Sequence, residues 1–387
     1  MNIKTADRMD ELPPYLFDKI NGKKQRLKAT GHDLLDLGIG DPDLPTPDFI
    51  KERLVQELDQ PGNHKYSGFS GCLEFREAVA DFYQKKFHVH LDPDSEVLAL
   101  IGSKEGVAHF VFSMIDRGDE VMIPDPSYPV YRMATHLAGG KVRSMPLKPD
   151  LEFQPDFAEL SEENYKAVKL AFLNYPGNPT GATVDLDFFA HAVRFFRQRN
   201  VILAHDSAYN LVTYDGYQAP SILQVDGAKD AVVEFGSLSK GFNMTGWRIG
   251  YIVGNADLIN TLKTVKSNLD SSQFLPIQKA AATALTSDLS ALNDRNDIYS
   301  QRADVLIEGL RKIGIDAGKP KGSIFIWARV PEGYTSAGFS EVMMEEAGVV
   351  VTPGVAFGTY GEGYFRMSLS VPEHLLREAV RRMQVYL

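Results

Sequence analysis

Lys240 lies in the segment Ser237-Leu238-Ser239-Lys240-Gly241-Phe242-Asn243-Met244-Thr245-Gly246-Trp247-Arg248, with Ser237 and Ser239 before it and Arg248 eight residues on. A lysine whose ammonium is desolvated gives up its proton readily and can attack an aldehyde to form a Schiff base. Two hydroxyls and a guanidinium fork beside it suit a phosphate. An aldehyde that carries a phosphate is pyridoxal 5′-phosphate, and these residue types together point to it. Read alone, the segment fits a solvated lysine on a Gly/Ser-rich loop better. The remaining chain has to decide.

Positioning such a lysine needs a strand before it, and Ala231–Phe235 is an apolar run that reads as one. Further strand patterns fall at Val97–Ile101, Glu120–Pro124, Lys141–Met145, Val168–Leu173, Val201–His205 and Ile249–Val253. Helical patterns lie between them, at Leu73–Phe87, Glu105–Asp116 and Leu186–Arg197. Alternation of this kind implies a mostly parallel sheet covered on both faces. Such sheets bind ligands beyond the carboxyl ends of their strands. Past residue 285 the texture changes to a long helix, Asn293–Ile313, then short strands at Ser323–Arg329, Gly348–Val351 and Tyr364–Leu369 and a last helix, Pro372–Tyr386. Before Pro47 the chain is rich in glycine and proline (Pro13, Pro14, Gly38, Gly40, Pro42, Pro45) and reads as an extended arm.

The strand ends carry the other candidates. Gly102-Ser103-Lys104 opens a helix, a place where free N–H groups meet anions. Tyr128 sits in the proline-framed loop Asp125-Pro126-Ser127-Tyr128-Pro129, where its ring could stack on a pyridine. Asn178 lies in Asn174-Tyr175-Pro176-Gly177-Asn178-Pro179-Thr180-Gly181, a loop shaped by two prolines and two glycines. Asp206 ends a buried strand, with Tyr209 three residues on. A carboxylate there is costly unless paired, and a protonated pyridine nitrogen is a suitable partner. A helix N-cap is the competing reading for Asp206. His205 reads as a structural histidine. Arg366, inside Tyr364-Phe365-Arg366-Met367-Ser368-Leu369, is expensive to bury without an anion, either a substrate carboxylate or an internal glutamate. No His/Cys/carboxylate group shows metal-ligand spacing, so no metal is expected.

Composition bounds the rest. The 387 residues carry a net charge of −10, without a basic stripe, which argues against nucleic-acid binding. The single cysteine, Cys72, excludes an internal disulfide and fits a reducing compartment. The charged start lacks the apolar core of a secretory signal, and no stretch approaches the ~20 apolar residues of a membrane span. A cytoplasmic protein is the expectation.

The ordered set Asn178-Pro179-Thr180-Gly181, Asp206 with Tyr209, Ser237–Lys240 with Arg248, and Arg366 resembles the class I/II aminotransferases of pyridoxal-phosphate fold type I. That resemblance implies an α/β fold: an N-terminal arm over 1–47, a large cofactor-binding domain with a mostly parallel sheet over 48–285, and a smaller C-terminal α/β domain over 286–387. The arm would pack on the small domain or on a partner subunit. Lys240 would be the lysine bonded to pyridoxal 5′-phosphate and the later proton carrier, and Asp206 the partner of the ring nitrogen. Asn178 and Tyr209 would donate to the ring oxygen, and Tyr128 would stack. Ser103, Lys104, Ser237, Ser239 and Arg248 would hold the phosphate, and Arg366 the substrate carboxylate. Gly40 would let the backbone approach the substrate. Tyr66 would reach the phosphate of a second subunit, which implies a homodimer with shared sites.

The finer likeness is to the LL-diaminopimelate aminotransferase group, through LPPYLFDKI, LGIGDPDLPTP, ALIGSKEG, FLNYPGNPTGA, SLSKGFNMTGWRIGY and the GVVVTPG segment near 350. Three places depart from that group. Gly241-Phe242 stands where Thr-Tyr or Thr-Phe is expected, Asn210-Leu211 where Ser-Glu is common, and Ser67–Cys72 replaces a Pro-Ser-Tyr-type segment. An aspartate, alanine or broad-range aminotransferase, or a β-lyase of the same fold, would share the lysine chemistry. A winged-helix transcription regulator built on this fold would need a basic N-terminal domain, and the short arm does not supply it.

Overall fold

The computed structural model describes residues 3–9, 12, 16–160 and 162–387. Pro13, Pro14 and Tyr15, within the LPPYLFDKI likeness, lie outside the described residues. The strands are β1 (Leu35–Asp36), β2 (Val97–Leu100), β3 (Glu120–Asp125), β4 (Lys141–Pro146), β5 (Val168–Asn174), β6 (Ile202–Asp206), β7 (Val232–Ser237), β8 (Gly250–Gly254), β9 (Phe325–Arg329), β10 (Val349–Val350), β11 (Thr352–Pro353) and β12 (Tyr364–Ser368). The α-helices in chain order are α1 (Leu16–Ala29), α2 (Asp48–Leu58), α3 (Leu73–Phe87), α4 (Ser103–Met114), α5 (Val130–Leu137), α6 (Glu162–Tyr165), α7 (Leu186–Arg197) and α8 (Leu238–Gly241), followed by α9 (Ala256–Leu269), α10 (Leu275–Thr286), α11 (Asn293–Lys312), α12 (Ser336–Glu345) and α13 (Glu373–Met383).

Seven strands form the main sheet, in the order β2-β8-β7-β6-β5-β3-β4. All neighbours are parallel except those of β8, which runs against both β2 and β7. The near-continuous apolar strands are those of a sheet buried on both faces, and two separate cores flank it. One gathers α3, α7 and α10; the other gathers α4, α5 and α9. The aromatic run Phe188–Phe196 packs in the first of these, as its helical spacing suggests.

A three-stranded antiparallel sheet, β11-β12-β9, forms with α11, α12 and α13 a third core. The pattern at Gly348–Val351 divides: Val349–Val350 pairs with β1, while Thr352–Pro353 pairs with β12. The arm is not extended throughout, as α1 occupies Leu16–Ala29. Glycine and proline mark breaks in the sequence but are silent on the polar, lysine-rich stretch between them. Salt bridges hold that helix, Lys23 to Glu345 at 2.6 Å and to Glu341, and Lys24 to Asp36 at 2.5 Å. No described helix is long and apolar enough to cross a membrane.

Candidate active site

Strand register builds the site. The parallel strands β5, β6 and β7 end side by side at Asn174, Asp206 and Ser237, with Asn174 opposite Asp206. Because β8 is antiparallel, it begins at the edge where its neighbours end and brings Arg248 there. Strand β2, running with β7, leads through Gly102 into α4 at the same edge. A cavity of about 380 Å³ opens at these ends. Its walls include Gly40, Ser103, Lys104, Tyr128, Asn178, Asp206, Tyr209, Ser237, Ser239, Lys240, Arg248 and Arg366. Twelve of the thirteen candidate residues thus meet in one place. The thirteenth, Tyr66, does not line it and stands 92% exposed.

Lys240 projects from the short helix α8, which Ser237 caps by accepting from Ser239 N at 3.2 Å. Its Nζ donates to Gly40 O at 2.6 Å. Burial lowers the Lys240 pKa to about 8; Arg366 and Arg248 push the same way, and Asp41 opposes them. The lysine therefore yields its proton far more readily near physiological pH than a solvated loop lysine does.

Asp206 is buried, and burial pushes its carboxyl up. Tyr131 Oη donates to its Oδ2 at 2.7 Å and Ala208 N to its Oδ1 at 3.3 Å. Asn174 Nδ2 donates to the Asp206 carbonyl at 2.7 Å. A cation seated against the carboxylate would favour its charged form again.

Helix α4 begins at Ser103, two residues earlier than the apolar pattern suggests, because Gly102 at φ +85° turns the chain into it. No side chain caps this end, so its first N–H groups face the cavity. Arg248, itself at φ +54°, lies so close that a Cβ on Gly102 would overlap its Nη2. Only glycine leaves this anion cradle open.

Arg366 on β12 is buried between the rings of Phe325 and Phe357, 3.9 and 4.7 Å from their centroids. It donates to Asn178 Oδ1 at 2.8 Å and to Gly38 O at 2.7 Å. Asn178 thereby spends its oxygen on Arg366, and the donating half of its amide remains for a ligand. Tyr209 is buried, packs edge-on against Phe325 and has its phenol pushed well up by burial. His205 is buried and tied to Glu234 Oε2 through Nδ1 at 2.8 Å and to the Tyr175 carbonyl through Nε2 at 3.0 Å, a structural placement.

Sequence reading passed over Tyr131, Asn174, Asp41 and Thr245. The signal for Tyr131 was its place three residues after Tyr128, on the first turn of α5. The expectation about metal spacing needs one correction. Glu105 and His109 on α4 converge with Asp270 within ligand reach of a single ion. The buried Lys266 ammonium already sits there, 3.1 Å from Glu105 and 2.8 Å from Asp270.

The buried lysine, the uncapped helix end beside an arginine fork, and the buried carboxylate match the aldehyde, phosphate and ring nitrogen of pyridoxal 5′-phosphate. Comparison with known proteins agrees. Residues 32–383 match the family described as aminotransferase class I and II. The chain is 47% identical over 382 residues to the LL-diaminopimelate aminotransferase of Moorella thermoacetica, covering 99% of this chain and 98% of that one. It is 49% identical over 381 residues to the enzyme of that name from Maridesulfovibrio salexigens, covering 98% of each chain. Among solved structures, a substrate-bound BacF from Bacillus subtilis superposes with a TM-score of 0.96 at 34% identity, over 100% of this chain and 98% of that one. The chain belongs to the class I and II aminotransferase family, as a pyridoxal-phosphate-dependent enzyme that moves amino groups between amino acids and 2-keto acids.

Proposed function

We propose that the enzyme transfers an amino group between glutamate and the LL-diaminopimelate/tetrahydrodipicolinate pair, in lysine biosynthesis. The observation that carries this reading is the near-full-length identity to relatives of that name.

When bound, pyridoxal 5′-phosphate supplies the electron sink that acidifies the amino acid Cα–H. The chain supplies the rest. Arg366 takes the α-carboxylate in its fork, which orients the Cα–H toward Lys240. Lys240 Nζ, freed of its proton at a pKa of about 8, is the base that takes the Cα proton and the acid that returns it. Asp206 would face the ring nitrogen of the bound cofactor and favour its protonated form. Tyr128 would stack on the ring, and Asn178 and Tyr209 would donate to its oxygen. Ser103, Lys104, Ser237, Ser239 and Arg248, which line the same cavity, would hold the phosphate. Gly40 would let the backbone approach the substrate; the Phe325 ring packs so close that a Cβ at this position would overlap it.

The reading includes a cytoplasmic homodimer and a division of each chain into arm, 1–47, large domain, 48–285, and small domain, 286–387. Tyr66, Phe69, Leu73, Leu269 and Phe274 are exposed around the segment that Ser67 ties to the Ser271 and Gln273 carbonyls, which supports a second copy covering them. Tyr66 would then reach the phosphate of that copy.

A half-reaction screen tests the substrate. LL-diaminopimelate, glutamate, aspartate, alanine and aromatic amino acids are each added alone to cofactor-loaded enzyme, and the change of the cofactor absorbance to its amine form is followed. Fast conversion by LL-diaminopimelate and glutamate, with the others slow, is the expected result. Fast conversion by aspartate or alanine without diaminopimelate would assign the enzyme to general amino-acid metabolism.

A further inference from the structure

Helix α11 lays a polar stripe on the site from outside the cavity. Arg295 and Arg302 are seven residues apart, two turns, and so share a face. Both are buried. Arg295 has no ion pair among the described residues. Its Nη1 donates to the carbonyl of Lys240 at 3.1 Å and its Nη2 to the carbonyl of Leu211 at 2.6 Å. Asn296 steadies this fork by accepting from Nη2 at 2.7 Å and donating to the same Leu211 carbonyl at 3.1 Å. Burial of the guanidinium is unfavourable enough to lower its pKa to about 10. Such a residue is expensive to keep for packing alone.

Arg302 makes a bidentate pair with Asp43, at 2.7 and 2.8 Å, and donates to the Leu369 carbonyl at 2.9 Å. Asp43 stands three residues after Gly40, whose carbonyl receives the Lys240 ammonium. Thr46 Oγ1 closes the loop by donating to Asn243 O at 2.7 Å, past the lysine turn. One helix therefore grips the backbone of Lys240 directly and the acceptor of its ammonium through a single acidic residue.

Two of the three departures from the group's pattern meet at the same point. Leu211 packs over Gly241, where an added Cβ would come within 3.0 Å of Leu211 Cδ1 and 3.2 Å of its Cβ. The position after the lysine is small where position 211 is a bulky leucine, and Arg295 holds the leucine's carbonyl.

We propose that α11 is a two-point holder of the reactive lysine: Arg295 fixes its backbone end, and Arg302, through Asp43, fixes the strap that receives its ammonium. Both arginines are positioning residues. The proposal rests on Lys240 being the lysine that bonds the cofactor. Short helix α8 does not fix Lys240 alone, because the last carbonyls of a helix, that of Lys240 among them, lack an intrahelical N–H donor. A flexible side chain held at both ends loses little further entropy when Nζ must meet one atom. The charged groups around Nζ are Asp41, Arg248 and Arg366, with Asp206, Lys104, Tyr128 and Tyr209 lining the same cavity. None of them is altered by substitutions at 295, 302 or 43.

The test uses apoenzyme mixed with pyridoxal phosphate across pH 6.5–10. Borohydride trapping at successive times and peptide mass spectrometry give the rate of bond formation at Lys240. Circular dichroism and thermal melting accompany each variant. In Arg302→Lys and Asp43→Asn the midpoint of the pH–rate profile should fall by about half a unit, because the Gly40 carbonyl no longer favours the charged amine. In Arg295→Met the midpoint should hold while the rate drops about tenfold at every pH, and Arg295→Lys should recover part of it. Variants that melt lower yet keep the parent's midpoint and rate would overturn the proposal and leave both arginines structural. A midpoint that rises in Arg302→Lys would overturn it as well. Trapping at another residue in the parent enzyme is a different failure, that of the lysine assignment itself.

Discussion

Tyr131 Oη lies 2.7 Å from Asp206 Oδ2 and donates to it, deep beneath the cavity, while the Tyr131 ring stacks on Phe172 at 4.8 Å. The carboxylate is thus oriented from behind, with Oδ1 bound by the Ala208 N–H. A hydrogen bond to a charged group contributes about 1.5–3 kcal/mol. Tyr131→Phe keeps the ring and removes only that donor. Cofactor dissociation should accelerate by about ten- to a hundredfold, read by dialysis and fluorescence. Unchanged retention would show that Asp206 holds its place without the phenol.

Lys240→Ala should lose turnover and the visible absorbance of the lysine-bound cofactor together. Near-normal amino transfer by that variant would remove Lys240 from the chemistry.

The same lysine carries a stability signature in the apoenzyme. Its pKa in the fold, about 8, lies below the ordinary 10.5. Between these values the unfolded chain holds the extra proton, so stability rises with pH across that window, and the penalty is full below about pH 8. Lys240→Met should therefore stabilise the apoprotein at pH 7 by on the order of 3 kcal/mol, with the gain vanishing toward pH 10.5. Urea unfolding at pH 7 and pH 10 measures it. A gain independent of pH would assign it to packing.

Gly102→Ala puts a Cβ into Arg248 and strains a backbone at φ +85°. Pyridoxal phosphate should bind about tenfold or more weakly, while the unphosphorylated aldehyde is little affected. Equal weakening of both would place the damage outside the phosphate cradle.

Arg366→Ala should raise KM for amino and keto acids, with kcat/KM falling about a hundredfold as a buried fork is lost. Arg366→Lys should recover little, since one ammonium cannot replace a bidentate donor. If KM is unmoved and only the melting temperature falls, the arginine serves the fold.

Glu234 is fully buried and accepts from Tyr83 at 2.6 Å, Ser221 at 2.9 Å, the Ile222 N–H at 3.0 Å and His205 at 2.8 Å. Glu234→Leu strands those donors and should cost about 3 kcal/mol or more of stability. A denaturant midpoint unchanged from the parent would mean the network relaxes onto water.

The elements that make the cavity edge were legible because their signals are local. Alternating apolar runs and amphipathic stretches dictate which segments are strands and which are helices, and Leu73–Phe87 and Leu186–Arg197 appear with the expected bounds. Lysine, serine and arginine types near 240 dictate a class of chemistry, since reactivity belongs to the side chain. Partners fixed across the sheet have no such mark. Tyr131 and Asp206 are 75 residues apart, and Arg302 and Asp43 are 259 apart. Helix α1 was missed because its polar face is satisfied by salt bridges to residues such as Glu345, far along the chain. The antiparallel course of β8, which delivers Arg248 to the lysine, is a property of pairing and not of composition. Residue types and periodicity therefore determined what this chain could do and roughly which elements it would build. Only the packed fold decided which groups lie within hydrogen-bond reach, because long-range contacts depend on register and topology rather than on neighbours in sequence.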